Sequence, residues 1–390
     1  RSVRSEGLPL TGGRSVGVPG APAGYAALAE RGRLPRSALA APAIHLARDG
    51  FLWSRLVADL TRESVELLTA ENPEGTVFLP AGSPIEPGRV VRLPGLAAAL
   101  EAFVARGRGM FEGPVGEAIV ATVARRGGVM TEEDLRSASG EWIEASEVEL
   151  DDLRIWATPE PTHGPSLLAA VADPRSRGGP GGLWDAVADA IRDRAATLGD
   201  VRGGGTSIVS AADREGNAVV VVHSNSYPRF GSGIVVPGYD LILNNRAGRG
   251  FTASPGHPNA PAPGRRPALT LHAWAVGRRD PDALALGGTP GGENQMPWNA
   301  QTLGEILAGS WEPGRLVTTP RWGFDADGGG ALVETGSTEE GVGELRARTA
   351  VRRVPPWGLR SGQQVVVCPD QWSAIVAAAD PRTGGAAVGV

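Results

Sequence analysis

The chain has 390 residues, 41% of them hydrophobic, and a net charge of -5 from 38 Lys+Arg against 43 Asp+Glu. So much apolar sequence supports a large folded core and excludes a disordered chain. With no basic run, and no apolar stretch near the roughly 20 residues a membrane-spanning helix requires, neither nucleic acid nor a bilayer is an expected partner. The single cysteine, Cys368, leaves no intrachain disulfide, which fits the cytoplasm somewhat better than export without excluding secretion. The chain starts at Arg1 with neither Met nor a charged-then-apolar leader, which is compatible with a missing N-terminus and with any signal peptide having been removed or left out.

Apolar residues at three-and-four spacing predict helices over 42–49, 54–69, 96–106 and 115–125, with Pro42 suited to a first turn. Thr131, followed by Glu132, Glu133 and Asp134, is a capping hydroxyl ahead of an acidic first turn and predicts another helix start. Strand signals are sparse in this half. Residues 172–182, with Pro174, Gly178, Gly179, Pro180, Gly181 and Gly182, read as a loop or linker. After Gly203 the texture changes to short β-branched runs at 206–212, 218–224, 233–237, 241–245 and 269–276. Residues 213–217 carry turn formers and join the first two runs as a hairpin. Helical periodicity returns at 299–308 and 339–349. Helices, then antiparallel strands, then helices predict an α+β layered sandwich with its sheets inside.

At the change of texture stands Gly203-Gly204-Gly205-Thr206-Ser207. A glycine before a threonine leaves its carbonyl open to attack by the threonine's own hydroxyl, and hydrolysis of the resulting ester exposes a new α-amine. That amine has an ordinary pKa of about 8, so a useful fraction is free base near neutral pH. Nucleophile and general base then lie in one residue. Alone the signal is weak, because glycine-rich loops precede many strands.

Its neighbours raise it. Thr206-Ser207-Ile208-Val209-Ser210-Ala211-Ala212-Asp213 followed by Gly216-Asn217-Ala218-Val219, Phe230-Gly231-Ser232-Gly233-Ile234-Val235-Val236-Pro237-Gly238, Leu243-Asn244-Asn245, the run 259–267 and Thr289-Pro290-Gly291-Gly292 resemble, in order, the small subunit of gamma-glutamyltransferases. Upstream, the runs 15–20 and 42–51 and Phe111-Glu112-Gly113-Pro114 resemble the large subunit, and Asp380-Pro381-Arg382 resembles the C-terminal signature. The resemblance implies a four-layer αββα sandwich of the N-terminal-nucleophile hydrolase type. A mostly helical large-subunit region, 1–205, and a small-subunit region, 206–390, would stay together as one αββα domain after cleavage between Gly205 and Thr206. A homo-oligomer is left open.

Carried over residue by residue, the resemblance makes Thr206 the nucleophile and Ser224 the hydroxyl that hydrogen-bonds it, against the plain alternative of a strand serine. Gly291 and Gly292 become an oxyanion hole, whose N–H groups meet developing negative charge. Substrate-binding candidates are Asn225 and Ser226, just before Tyr227-Pro228-Arg229, where this chain carries one extra residue. Thr270 joins them, in a segment where Leu269 replaces the first serine of the family's pair. Arg1 matches the arginine that pairs with the substrate α-carboxylate. Ser207 and Ile208 depart from the threonine and histidine that often follow the nucleophile.

Residues 244–251 contain Arg246 and Arg249 where glutathione-cleaving members carry amide and acidic side chains that hold an α-ammonium group. Guanidinium groups stay protonated and prefer carboxylates, which points to a substrate with an extra acid or without the amine. The competing reading is that they pair with protein carboxylates such as Asp240. The run 325–328 begins like a calcium loop but lacks the remaining ligands, and the five histidines show no metal spacing, so no metal and no cofactor are expected. Trp298, beside the oxyanion glycines, is the candidate pocket wall.

Together these readings describe an autoprocessing N-terminal-threonine hydrolase that cleaves an acyl group from a carboxylate-bearing small molecule through an acyl-enzyme. Three alternatives stand beside it: a C–C bond hydrolase like the gamma-glutamyltransferase-like proteins of actinobacterial alkylproline biosynthesis, an antibiotic-pathway role; a true gamma-glutamyltransferase or glutathione hydrolase; and an inactive binding homologue.

Overall fold

The computed structural model describes residues 8–198, 205–254, 256–279, 282–325, 329–369 and 372–389. The chain divides into two compact units, Arg1–Ile143 with Asn225–Ala253, and Glu144–Ser224 with Ser254–Val390. Each unit therefore draws on sequence from both sides of the 205/206 junction.

The first unit is mainly helical. The predicted helices at 96–106 and 115–125 form as Pro94–Arg106 and Pro114–Arg125, each opened by proline, whose missing N–H costs nothing in a first turn. At Thr131 both halves of a capping box are made: Thr131 Oγ1 accepts from Asp134 N at 3.3 Å, and Thr131 N donates to Asp134 Oδ2 at 2.8 Å. The stretch 54–69 breaks into Arg55–Arg62, capped by Ser54, and Val65–Glu71, because the chain leaves helical geometry at Ser64. Pro42 lies inside Arg36–Asp49 rather than in its first turn; Pro35 takes the boundary position, and the helix gives up one backbone bond at Pro42. The runs 233–237 and 241–245 shrink to an antiparallel pair, Val235–Val236 with Leu241–Ile242, bounded by Gly233 and Gly238 at positive φ. Alternation sends Ile234 and Val236 toward Val115, Ile119 and Val123, while Val235 packs with Leu68, Leu93 and Ala97.

In the second unit, six strands of the described residues form one antiparallel sheet. Its order is Val376–Ala379, Gln364–Cys368, Asp282–Gly288, Trp274–Arg279, Leu153–Ala157, Ser146–Leu150. Period-two alternation divides its faces. Ile155, Trp274, Val276, Ala285, Val365 and Val367 pack against the helices Gly164–Ala172, Pro180–Leu198 and Gln295–Leu307. Leu284, Leu286, Val366 and Cys368 face the other way and meet Ala212 and Val220 of a two-stranded sheet, Thr206–Ala212 with Ala218–Ser224. Helices, sheet and second sheet thus stack in three consecutive layers within this unit, in the α+β class the sequence predicts.

Three sequence readings need correction here. The first half is less purely helical than expected, since Ser146–Leu150 and Leu153–Ala157 are strands. The run at 172–182 is only partly a loop, because Pro180 opens the helix Pro180–Leu198. Its glycines serve close packing: a Cβ at position 182 would stand 3.0 Å from the Arg175 carbonyl carbon, and one at 181 would stand 2.9 Å from Glu344 Cβ. The strand expected at 269–276 begins only at Trp274.

The block Asp380-Pro381-Arg382 is buried in charge. Arg382 meets Glu334 at 2.6 Å and Asp380 at 3.0 Å, all three side chains being at most 1% exposed. Arg321, also buried, donates its backbone N–H to Glu334 at 3.1 Å. Two guanidinium groups and two carboxylates balance, the condition under which such charges tolerate desolvation.

Candidate active site

The hairpin places Thr206. Its turn is fixed locally: the Asp213 carboxylate accepts from Glu215 N and Asn217 N at 2.9 and 3.0 Å, Asp213 N reaches Asn217 O, and Gly216 supplies φ +87°. That turn sets the register from Ala212↔Ala218 up to Thr206↔Ser224. Residues directly opposite across an antiparallel pair hold their side chains on one face. Accordingly Thr206 Oγ1 donates to Ser224 Oγ at 3.2 Å. Ser224 Oγ in turn donates to the carbonyl oxygen of Gly205 at 2.6 Å. The face carrying Thr206, Ile208 and Ala212 is turned inward, and Ser207, Val209 and Ala211 are exposed. Ile208 occupies the place next to Gly288, within 3.5 Å of where a Cβ there would lie.

From Gly288 the chain runs into Thr289-Pro290-Gly291-Gly292 and then into the helix Gln295–Leu307. Thr289 pins this turn: its hydroxyl donates to Pro290 O and accepts from Gly362 N at 3.0 Å. Gly291 and Gly292 have φ +139° and +61°, values at which a side chain is strained. A Cβ at 291 would also lie 2.8 Å from Cε3 of Trp298. Trp298, 3% exposed, therefore backs the glycine turn from beneath; the wall expected of it is a buried support. Gln295 at the helix start is fully buried, and its Nε2 faces Thr206 Oγ1 at 3.5 Å.

Thr270 is buried in the same unit, and its carbonyl is held by a chain of bonds that fixes a histidine tautomer. The Trp274 indole can only donate, and it does so to Asn299 Oδ1 at 3.0 Å. The Asn299 amide nitrogen consequently faces His272 Nε2 at 2.8 Å, leaving that nitrogen as acceptor and His272 Nδ1 to donate to Thr270 O at 2.9 Å. Burial pushes the imidazole down to about 4 from its ordinary 6.5, with nearby Arg194 adding to the effect. Arg194, itself pushed down to about 10 by desolvation, donates to the carbonyls of Pro161 and Leu269 at 3.0 and 2.9 Å.

Of the predicted site residues, Gly205, Thr206, Ser224, Thr270, Gly291 and Gly292 share the second unit, the first three in direct hydrogen-bond sequence. Asn225, Ser226, Arg246 and Arg249 belong to the first. There Asn225 O accepts from Asn245 N, and Ser226 is buried at φ +74°. Arg246 opens a short helix with its N–H on Asn244 Oδ1, and Arg249 lies 5.3 Å over the Tyr227 ring. Asp240, the competing partner, accepts from Gly95 N. Arg1, Gly203, Gly204 and residues 326–328 of the calcium-like run lie outside the described residues. Among the described residues no cluster of three or more His, Cys, Asp or Glu is placed for a metal, and no helix is long and apolar enough to cross a membrane. Sequence reasoning missed Gln295, an amide three residues after Gly292 with no local signal to mark it.

The gamma-glutamyltranspeptidase family model matches residues 1–172 and 184–390. The chain belongs to this family. The break in the match falls at the close-packed connection into the helix Pro180–Leu198. Membership makes the chain an N-terminal-nucleophile hydrolase or acyltransferase, in a family whose enzymes act on small molecules. The glutathione hydrolase-like YwrD proenzyme of Bacillus subtilis is 25% identical over 435 residues, covering 98% of this chain and 82% of that protein. The glutathione hydrolase proenzyme of Escherichia coli is 25% identical, with 96% and 75% covered. The chain spans 58% of glutathione hydrolase 3 of Arabidopsis thaliana, at 26% identity. In fold it is similar to the cephalosporin acylase of Bacillus halodurans, with a TM-score of 0.81 at 24% identity, covering 96% of this chain and 78% of that one.

Proposed function

We propose that this chain cuts itself between Gly205 and Thr206 and then uses Thr206 to hydrolyse an amide whose acyl part carries a carboxylate. The observation that supports the first step is the run of hydroxyls from Thr206 through Ser224 to the Gly205 carbonyl oxygen. Thr206 Oγ1 attacks the Gly205 carbonyl carbon while the Ser224 hydroxyl donates to the oxygen that gains charge. The C–N bond breaks, the Thr206 nitrogen takes up the proton, and water hydrolyses the ester to a Gly205 carboxylate and a free α-amine. In turnover that amine takes the hydroxyl proton as Oγ1 attacks the substrate carbonyl, and the leaving amine receives it. Water then releases the acyl group. Gly291 and Gly292, whose positive φ values favour glycine, are the proposed N–H donors to the oxyanion.

The carboxylate preference rests on residue type at positions 246 and 249, where two guanidinium groups suit an acid rather than an ammonium. Both halves of the reading are open to test. Wild-type chain should yield two fragments on denaturation, with Thr206 as a new amino terminus, while Thr206→Ala stays a single, folded chain. Glutaryl-4-nitroanilide should be hydrolysed faster than its gamma-glutamyl counterpart. Faster turnover of the gamma-glutamyl compound refutes the substrate assignment, and an uncleaved wild-type chain refutes the nucleophile.

A further inference from the structure

Gln295 has a second property besides its place beside Thr206. Its side chain is wholly buried, yet Oε1 has no hydrogen-bond partner among the described residues. A buried amide oxygen left unpaired costs free energy, and native folds rarely keep one without use. The other end of the same amide, Nε2, is directed at the Thr206 hydroxyl. In the intact chain the Thr206 nitrogen is a peptide nitrogen with a single hydrogen. Cleavage converts it to an amine with two hydrogens, or three when protonated. New donors thus arise on the residue that one end of the amide already meets, and the unmet group at its other end is an acceptor. The two ends of one amide and the N and Oγ1 of one threonine have similar spacing, so a single side-on amide can address both.

We infer that Gln295 grips the amino-terminal threonine that cleavage exposes, its Nε2–H donating to the hydroxyl and its Oε1 accepting an N–H of the new α-amine. The inference rests on Thr206 as nucleophile and names the group that orients its base. With one N–H tied to Oε1, rotation of the amine stops and its lone pair is left toward the hydroxyl whose proton it must take. Gln295 is placed for this by the glycine turn, which ends in Glu293 and Asn294 and starts the helix with Gln295 on its inner side. Titratable neighbours on the packed elements are His223, one residue from Ser224 and on the opposite face of the hairpin by strand alternation, and Glu293 in the turn. Both stay constant when only Gln295 is changed.

The test measures the α-amine itself and needs no substrate. In the cleaved full-length protein, the rate at which fluorodinitrobenzene labels Thr206 is followed across pH by mass spectrometry of the amino-terminal peptide. Gln295→Glu sets a carboxylate against the ammonium form and should raise the amine pKa by about one unit. Gln295→Met removes the acceptor without changing bulk and should lower it, and this variant carries the test if a buried glutamate prevents folding. With glutaryl-4-nitroanilide, Gln295→Met should lose about 100-fold in kcat with KM within about twofold, as expected for a misoriented base. A folded variant that no longer cleaves also supports the inference, through the hydroxyl contact. An amine pKa that is the same in wild type and both variants overturns it. Failure of the wild-type chain to expose Thr206 is a separate result, which removes the nucleophile reading beneath it.

Discussion

Changing Ser224 to alanine deletes both contacts that link the Thr206 hydroxyl to the Gly205 carbonyl, and the distances indicate which loss dominates. The bond from Ser224 Oγ to Gly205 O is short, 2.6 Å, and lies on the atom that becomes an oxyanion. Losing one such donor costs about 2.7–4 kcal/mol of transition-state stabilisation, a factor of about 10²–10³ in rate. The bond from Thr206 Oγ1 to Ser224 Oγ is longer, 3.2 Å, and joins neutral groups. A neutral pair is worth about 1 kcal/mol, so it adds less than another tenfold. Ser224→Ala should therefore slow self-cleavage by about 10²–10³, whereas Ser224→Thr, which keeps a hydroxyl, should stay within about tenfold of wild type. Pulse-labelled, freshly translated chain is chased and quenched in denaturant, and the two fragments are quantified by mass. Circular dichroism checks that the half-buried strand end tolerates alanine. Cleavage of Ser224→Ala at close to the wild-type rate would refute the assignment of Ser224 as donor to the scissile carbonyl.

Gly291→Ala should destabilise the protein by at least about 2 kcal/mol, from positive-φ strain and crowding against Trp298; chemical denaturation reads this, and adding Trp298→Leu should recover only the crowding part. His272 should make stability fall with acid. Its folded pKa, about 4, lies below the ordinary 6.5, so between those values the unfolded chain binds a proton that the folded chain refuses. Stability is unaffected above about pH 6.5, declines by up to about 3 kcal/mol toward pH 4, and levels off below it. His272→Gln should have a lower plateau and lack that component, and equal acid sensitivity in the two proteins would exclude it. Glu334→Gln leaves two buried guanidinium groups facing one carboxylate and should cost about 3–5 kcal/mol by denaturant titration; a change below about 1 kcal/mol would mean that the cluster is hydrated.

What could be read without the structure was local. The capping box at Thr131, the turn at 213–217 and the alternation of 206–212 depend on neighbours a few residues apart, and each is found where the sequence puts it. The readings that failed are those in which one residue type has two uses. Gly181 and Gly182 look like turn formers but are there so that a helix can press against Arg175 and the Glu344 side chain, contacts invisible from either segment alone. Ser146–Leu150 alternates in period two, but its glutamates and its edge position mute the apolar signal of a strand. At the site, Thr206 could be picked out from the glycine run that precedes it and from the resemblance to gamma-glutamyltransferases, and Ser224 from that resemblance alone; the hairpin register is what brings the two side chains together. Gln295 was not legible, since only the tertiary fold brings the start of a later helix to the start of an earlier strand.

The order of the six-stranded sheet has a consequence for any cut at 205/206. Leu153–Ala157, from before the cut, is hydrogen-bonded along its length to Trp274–Arg278, from after it. The helices Gly164–Ala172 and Pro180–Leu198 of the earlier segment pack with Met296, Ala300 and Leu303 of the later one in a single apolar cluster. The products would then form a heterodimer whose interface is the interior of a domain. Dissociation would mean exposing a core, so for this pair separation and denaturation are the same event. Neither fragment would own the whole six-stranded sheet, and severing one peptide bond would change the covalent count without releasing anything.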